Sequence, residues 1–160
     1  MSNAPGRIPE EEDRMHEFTT LSGADTIEVG RKLVRLLRPP QLLILRGDLG
    51  TGKTTLVKGI AQALDAAEAD EVTSPTFTLI HEYVGAQDGK PVKLFHLDVY
   101  RLEGERQLEA LGLDDLLTAD ALVLVEWGEK FKSIRKKSTG EIAITSVGGD
   151  ARKITVTLKE

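Results

Sequence analysis

Residues Gly47 to Thr54 read G-D-L-G-T-G-K-T and fit the phosphate-binding pattern G-x-x-x-x-G-K-[ST] without a mismatch. These residue types at this spacing suit one chemistry, the cradling of a polyphosphate. Gly47, Gly50 and Gly52 let the backbone turn tightly and approach oxygens that a Cβ would repel. The loop N–H groups of Gly50, Thr51, Gly52, Lys53, Thr54 and Thr55, at a helix N-terminus, then face the anion. Lys53 supplies positive charge to the β- and γ-phosphates, and Thr54 offers a hydroxyl to Mg²⁺.

A phosphate loop alone does not hydrolyse anything. Acidic groups are needed for the metal and for the attacking water. Asp98 ends the apolar run Leu94-Phe95-His96-Leu97, and Glu126 ends Leu122-Val123-Leu124-Val125. Ligand sites in open α/β sheets lie beyond the carboxyl ends of strands, where the phosphate loop also opens. Either acid can hold Mg²⁺, directly or through water, while the other orients a nucleophilic water. The alternative for each is a polar cap on a strand end, and Glu126 follows the cleaner apolar run. Ser74-Pro75-Thr76 can place a hydroxyl near a γ-phosphate as switch loops do, or be an ordinary turn. Trp127, the single tryptophan, either shields the site or fills the core. Arg106 reads as a solvated charge, and Arg101 stays open between that and a cationic stabiliser. His81 and His96 have no acidic or histidine partner at metal spacing and read as structural.

The elements around these residues follow from hydrophobic periodicity. Leu42-Leu43-Ile44-Leu45 suits a buried parallel strand entering the loop. Leu56, Val57, Ile60, Ala61 and Leu64 share a helical face leaving it. Upstream, Glu17 to Leu21 predicts a short edge strand. Ser22 or Asp25 caps a helix with Ile27, Gly30, Leu33, Val34 and Leu37 on one face, which stops before Pro39-Pro40. Phe77–Val84 and Val92–Val99 predict strands joined by a turn at Gln87 to Lys90. Glu105 to Leu117 predicts one helix, or two broken at Gly112. Ala121 to Val125 is another strand, and Gly128 to Ile134 a short helix. Alternating residues on either side of Gly148-Gly149-Asp150 signal a closing hairpin. The expected fold class is α/β: a three-layer domain with a partly parallel central sheet and a C-terminal β-hairpin, spanning 17–160, with 1–16 a disordered tail.

The chain has 160 residues, 40% hydrophobic and 29% charged, near globular averages and sufficient for one core. It has no cysteine, which excludes disulfides and thiolate metal sites. No apolar stretch reaches the roughly 18 residues of a membrane span. Met1 to Arg14 lacks a hydrophobic signal core, so the expected address is the cytoplasm, with no membrane partner. The net charge of −5 and 4% aromatic content argue against independent binding of nucleic acid. The nearest basic cluster is Lys130, Lys132, Arg135, Lys136 and Lys137, which is expected to face a partner protein, or tRNA held within a complex.

Five motifs occur in order: G-D-L-G-T-G-K-T-T at Gly47–Thr55, S-P-T-F-T at Ser74–Thr78, H-L-D-V-Y-R at His96–Arg101, L-G-L-D at Leu111–Asp114 and V-E-W at Val125–Trp127. Together they resemble the bacterial TsaE (YjeE) family, over roughly Glu17 to Lys159. The resemblance implies an ATPase needed for threonylcarbamoylation of adenosine 37 in tRNAs that read codons starting with A. It implies ATP and Mg²⁺ as cofactors and the TsaB–TsaD heterodimer as partner, with tRNA met only through that complex and the threonylcarbamoyl-adenylate made by another enzyme. It implies that Gly50 to Thr55 wrap the phosphates, with Thr54 and Glu126 on the metal side and Asp98 as an essential acid. Thr76 would belong to a switch-like loop, and Trp127 would be functionally sensitive. Thr26 lies where the family holds adenine, and Arg152 reaches the nucleotide from the other side. One departure is Gly128, where many members have proline.

Without the resemblance, the residues specify a Mg²⁺-dependent purine nucleotide hydrolase or kinase. No N-K-x-D segment for reading guanine follows a strand. A small-molecule kinase would need an arginine-rich lid, for which only Arg135-Lys136-Lys137 offers material. A nucleotide-occupied adaptor without significant turnover is the other alternative.

Overall fold

The computed structural model describes residues 14–48, 50–68, 71–75 and 79–159. The chain runs β1 (Arg14–Thr20), α1 (Gly23–Leu33), β2 (Gln41–Arg46), α2 (Lys53–Ala63), β3 (Ile80–Gln87), β4 (Lys90–Asp98), α3 (Glu105–Leu111), α4 (Leu113–Leu116), β5 (Ala121–Glu126), α5 (Lys132–Lys137), β6 (Gly140–Gly148) and β7 (Ala151–Leu158). The strands form one seven-stranded sheet in the order β1-β7-β6-β2-β5-β4-β3. β2 runs parallel to both β5 and β6, and β4 runs parallel to β5. The flanks, β3 on β4 and β1 and β6 on β7, are antiparallel. The expected α/β class, partly parallel sheet and closing hairpin are all present.

The all-apolar strands are central because both of their faces are covered. In β2, Leu43 and Leu45 join one core with α1, α2 and the closing hairpin, while Leu42 and Ile44 join a second core with Leu108, Leu113 and Ile134 of α3, α4 and α5. β5 divides in the same alternating way, with Leu122 and Leu124 on the first face and Ala121, Val123 and Val125 on the second. Helices on both faces of the sheet give the three layers.

Parallel pairing decides where the site lies. Register places Leu45 beside Glu126, and Glu126 beside Asp98. The ends of β2, β5 and β4 therefore form a row at one edge of the sheet, and the phosphate loop leaves β2 at that row.

Local signals explain most boundaries. Ser22 caps α1 by accepting from the Asp25 N–H at 3.1 Å, and the Asp25 carboxylate accepts from the Leu21 N–H at 3.0 Å. The two candidate caps thus act reciprocally. Asp88 and Gly89 turn between β3 and β4 with φ of 52° and 79°, the left-handed geometry that a two-residue hairpin requires. Gly112, at φ 79°, separates α3 from α4.

Some boundaries differ from expectation. β1 begins at Arg14, and β3 is described from Ile80. Gly128 to Ile134 divides into a 3-10 turn, Gly128–Lys130, and the start of α5. The buried face of α1 carries Thr26, Val29, Gly30 and Leu33, with Ile27 only half-buried. Close helix contact sets that rotation. A Cβ on Gly30 would lie 2.3 Å from the Leu56 carbonyl oxygen, and one on Gly59 would lie 1.9 Å from that of Ile27. The backbones of α1 and α2 meet at these two glycines.

This contact yields a test of opposite sign to helix propensity. Propensity alone would make Gly59→Ala stabilising by up to about 1 kcal/mol. Overpacking against backbone makes it destabilising, by roughly 1–3 kcal/mol. Urea unfolding of the variant checks this, and a stabilised protein would contradict the close packing.

Candidate functional site

The loop after β2 opens a cleft of about 620 Å³ lined by Gly50, Gly52, Lys53, Thr54, Thr55, Ser74, Asp98, Tyr100, Arg101, Glu126 and Trp127. The structure therefore brings together the loop, both strand-end acids and the tryptophan, on a cleft lined from four separate stretches of chain. Gly50 and Gly52 have φ of 81° and 108°, a region costly for any residue with a Cβ. Gly47 answers a different need. A Cβ there would meet the Thr51 hydroxyl at 2.7 Å and the Ile144 carbonyl oxygen at 2.8 Å. Thr51 is buried and closes the loop on itself, its hydroxyl donating to the Asp48 carbonyl at 2.8 Å.

Glu126 is the most constrained group in the cleft. It is 4% exposed, and each carboxylate oxygen has its own donor. Lys53 Nζ lies 3.1 Å from Oε1, and His96 Nε2 lies 2.6 Å from Oε2. Burial pushes this carboxyl up, but the His96 ring and the Lys53 ammonium together outweigh it and hold the group below its ordinary range. Glu126 is thus a carboxylate at neutral pH. Asp98, beside it in register, is equally buried and accepts from the Tyr100 N–H at 2.9 Å.

Trp127 leaves β5 in the left-handed region, at φ 66°. A bulky residue held there is strained, and such strain is concentrated at functional sites. Its half-buried ring packs against Tyr100 at 4.9 Å between centroids, and Lys53 Nζ lies 5.5 Å from the Trp127 ring. Gly128 follows where a Cβ would meet Ile134 Cγ2 at 2.9 Å. Lys130 straps the far side, donating to the carbonyls of Tyr100, at 2.5 Å, and Leu102, at 3.2 Å.

Arg152 reaches the loop from β7. Its Nε donates to the Thr51 carbonyl at 2.6 Å and its Nη2 to the Gly50 carbonyl at 3.4 Å. Thr26 does not line the cleft. Its buried hydroxyl donates to the Ser22 carbonyl at 3.2 Å and pairs with the Thr20 hydroxyl at 3.0 Å. Thr20 is in register with Arg152, so Thr26 lies one strand away from the loop's clamp. Thr76 falls outside the described residues, while Ser74 of the same motif lines the cleft.

Arg101 also lines the cleft, and Arg106 is exposed on α3. His81 lies on β3, its Nδ1 3.2 Å from the Thr73 carbonyl. His96 has an acidic partner after all. Its sequence distance from Glu126 concealed the pairing, but the alternation His96, Leu97, Asp98 already put it on the same strand face as Asp98. Of the basic cluster, Lys137 is paired with Asp114 and Arg135 donates to the Glu129 carbonyl at 2.6 Å. Neither lines the cleft.

The donor set is all oxygen on the acid side: the Thr54 hydroxyl and the carboxylates of Glu126 and Asp98. That suits a hard cation. Among the described residues no group of three or more His, Cys, Asp and Glu could hold a metal ion. Mg²⁺ fits such a site because it keeps waters and takes phosphate oxygens, needing only one or two protein ligands.

Comparison with known proteins identifies the family. The family described as "Threonylcarbamoyl adenosine biosynthesis protein TsaE" matches residues 20–154. The tRNA threonylcarbamoyladenosine biosynthesis protein TsaE of Bacillus subtilis is 38% identical over 141 residues, covering 88% of this chain and 84% of that protein. The protein of the same name from Streptomyces coelicolor is 39% identical over 135 residues, covering 81% and 88%. A crystal structure of Bacillus subtilis YdiB superposes with a TM-score of 0.65 at 31% identity, covering 92% of this chain and 88% of that one. The chain belongs to the TsaE family.

The Arg152 clamp can be tested without any ligand. In Arg152→Ala, amide hydrogen exchange of Gly50 to Lys53 should quicken by roughly tenfold, because a charged hydrogen-bond donor to the loop carbonyls is worth about 1.5–3 kcal/mol. Exchange in α1 should stay unchanged. Unaltered exchange in the loop would contradict the clamp.

Proposed function

Taking membership of the TsaE family as the premise, we propose that this chain is a Mg²⁺-dependent ATPase required for threonylcarbamoylation of adenosine 37 in tRNAs that read codons starting with A. It acts with the TsaB–TsaD heterodimer in the cytoplasm, through a single ATPase domain that includes β1 from Arg14. The observation that carries this reading is the convergence of Lys53, Glu126 and Asp98 on the phosphate loop at one edge of the parallel sheet.

The roles follow from the chemistry of the groups. Backbone N–H groups from Gly50 to Thr55 bind the polyphosphate at the N-terminus of α2. Lys53 exchanges its pairing with Glu126 for the β- and γ-phosphates, where it stabilises charge developing on transfer. Thr54 and Glu126 hold Mg²⁺, which neutralises the phosphate oxygens when bound. Asp98, one strand over, orients the attacking water. Thr76 belongs to a switch-like loop that senses the γ-phosphate. Trp127 and Tyr100 wall the cleft against bulk water. Arg152 holds the loop carbonyls and lies toward the nucleotide. Thr26 supports the adenine side by tying the start of α1 to β1.

Hydrolysis is favoured over small-molecule phosphotransfer by the disposition of the basic segment. Arg135 and Lys137, the material for a lid, are bound to the domain's own surface. tRNA is met through other proteins. The net charge is −5, and binding by phosphate neutralisation alone would need a broad cationic face.

ATP hydrolysis by the purified chain, alone and with TsaB–TsaD and tRNA, tests the proposal. Turnover should be slow alone and rise with the partners, and Lys53→Ala should lose roughly 100-fold or more. Asp98→Asn should bind Mg·ADP but turn over poorly, whereas Glu126→Gln should weaken the Mg²⁺ dependence of binding. ATP bound tightly with no turnover even beside the partners would favour an adaptor. Transfer to a metabolite would favour a kinase. If Asp98→Asn loses metal dependence and Glu126→Gln keeps it, the two acids have exchanged roles.

A further inference from the structure

We propose that His96 is a positioning residue that holds one oxygen of Glu126 so that the other is presented to the phosphate loop. The inference rests on the reading of Glu126 as a Mg²⁺ ligand. His96 is fully buried at 0% exposure on β4, two residues before Asp98 and on the same face. Its Nε2 lies 2.6 Å from Glu126 Oε2, while Lys53 Nζ lies 3.1 Å from Oε1. A carboxylate has no hydrogen to give, so the imidazole donates and Oε2 accepts.

The remaining ring nitrogen, Nδ1, has no hydrogen-bond partner among the described residues. The ring's polar contact is therefore directed at Glu126. Packing alone does not account for an imidazole here. An apolar side chain would fill the space between β4 and the helices without burying a polar nitrogen that finds no partner.

Without the His96 donor, Oε2 would be a buried carboxylate oxygen lacking a hydrogen bond. The carboxylate would relieve this by turning both oxygens toward Lys53, whose Nζ lies 3.1 Å from Oε1. That movement would withdraw Oε1 from the metal side and tie Lys53 more tightly away from the phosphates. His96 prevents it by occupying Oε2 from beneath the sheet edge. In this respect it resembles the outer partners that orient metal-binding carboxylates elsewhere. It touches neither nucleotide nor metal.

Two variants separate positioning from packing. His96→Gln keeps a donor near the Nε2 position, and His96→Met removes the donor while filling similar volume. Calorimetric ADP binding is measured in EDTA and then across a MgCl₂ titration, with Glu126→Gln run in parallel. ADP affinity in EDTA should match wild type in His96→Gln, which shows that the fold and loop survive, and should fall a few-fold in His96→Met, where Glu126 draws Lys53 from the phosphates. His96→Met should raise the Mg²⁺ concentration for half-maximal effect by roughly 10–100-fold, and His96→Gln should stay within about threefold of wild type. If His96→Met does not fold, His96→Asn, whose shorter side chain also withdraws the donor, is read in its place.

An unchanged Mg²⁺ requirement in the donor-free variant, beside a shifted one in Glu126→Gln, would overturn the role of His96 alone. Equal loss in His96→Gln and His96→Met would overturn it too. An unshifted Glu126→Gln would overturn the metal-side reading beneath it.

Discussion

A carboxylate buried at the end of a strand needs a donor for each oxygen, and the site is organised around meeting that need for Glu126. Removing an ion from water is costly, and a buried pair persists only where geometry and additional hydrogen bonds compensate. Here Lys53 comes from the N-terminus of α2 and His96 from the body of β4. One side chain thus links the phosphate loop, the central strand β5 and the neighbouring strand β4. The linkage is useful because it is exchangeable on one side only. Lys53 can leave for a phosphate at the cleft mouth, whereas His96 is enclosed.

The rest of the fold supplies the precision this arrangement requires. Parallel register sets Leu45, Glu126 and Asp98 side by side. Two faces of apolar packing prevent β2 and β5 from shifting relative to one another, since a slip of one residue would turn Glu126 into the opposite core. Close approach of α1 to α2 at Gly30 and Gly59 fixes the helix that carries Lys53. From the other side, Arg152 on β7 grips the carbonyls of Gly50 and Thr51. The loop is therefore held from both sides before any phosphate arrives, and preorganised donors of this kind bind anions without reorganising.

Much of this was legible in the chain. The phosphate loop, its strand and its helix are contiguous, so local pattern reveals them. Asp98 and Glu126 were visible because each follows an unbroken apolar run, and strand ends are where α/β sheets place ligands. His96 escaped because its partner lies 30 residues away, on a strand whose register no local signal specifies. The left-handed backbone of Trp127 had no signal either, since tryptophan is not a residue chosen for that region. The face of α1 was misjudged at Ile27 because periodicity leaves helix rotation uncertain, and the glycine contact with α2 decided it. Thr26 was singled out by resemblance and proves to be a buried tie between β1 and α1, which periodicity could not indicate. The five-motif resemblance, in contrast, was specific enough to point to the family that the comparisons show.

The most direct measurement of the central claim is a double-mutant cycle on unfolding free energy, without nucleotide, using Lys53→Met, Glu126→Gln and the two combined. Each single change strands a buried partner, so the double variant should be more stable than the sum of the singles predicts, by about 1 kcal/mol or more. Additivity within about 0.5 kcal/mol would mean that the two groups do not sense each other, and would contradict the account.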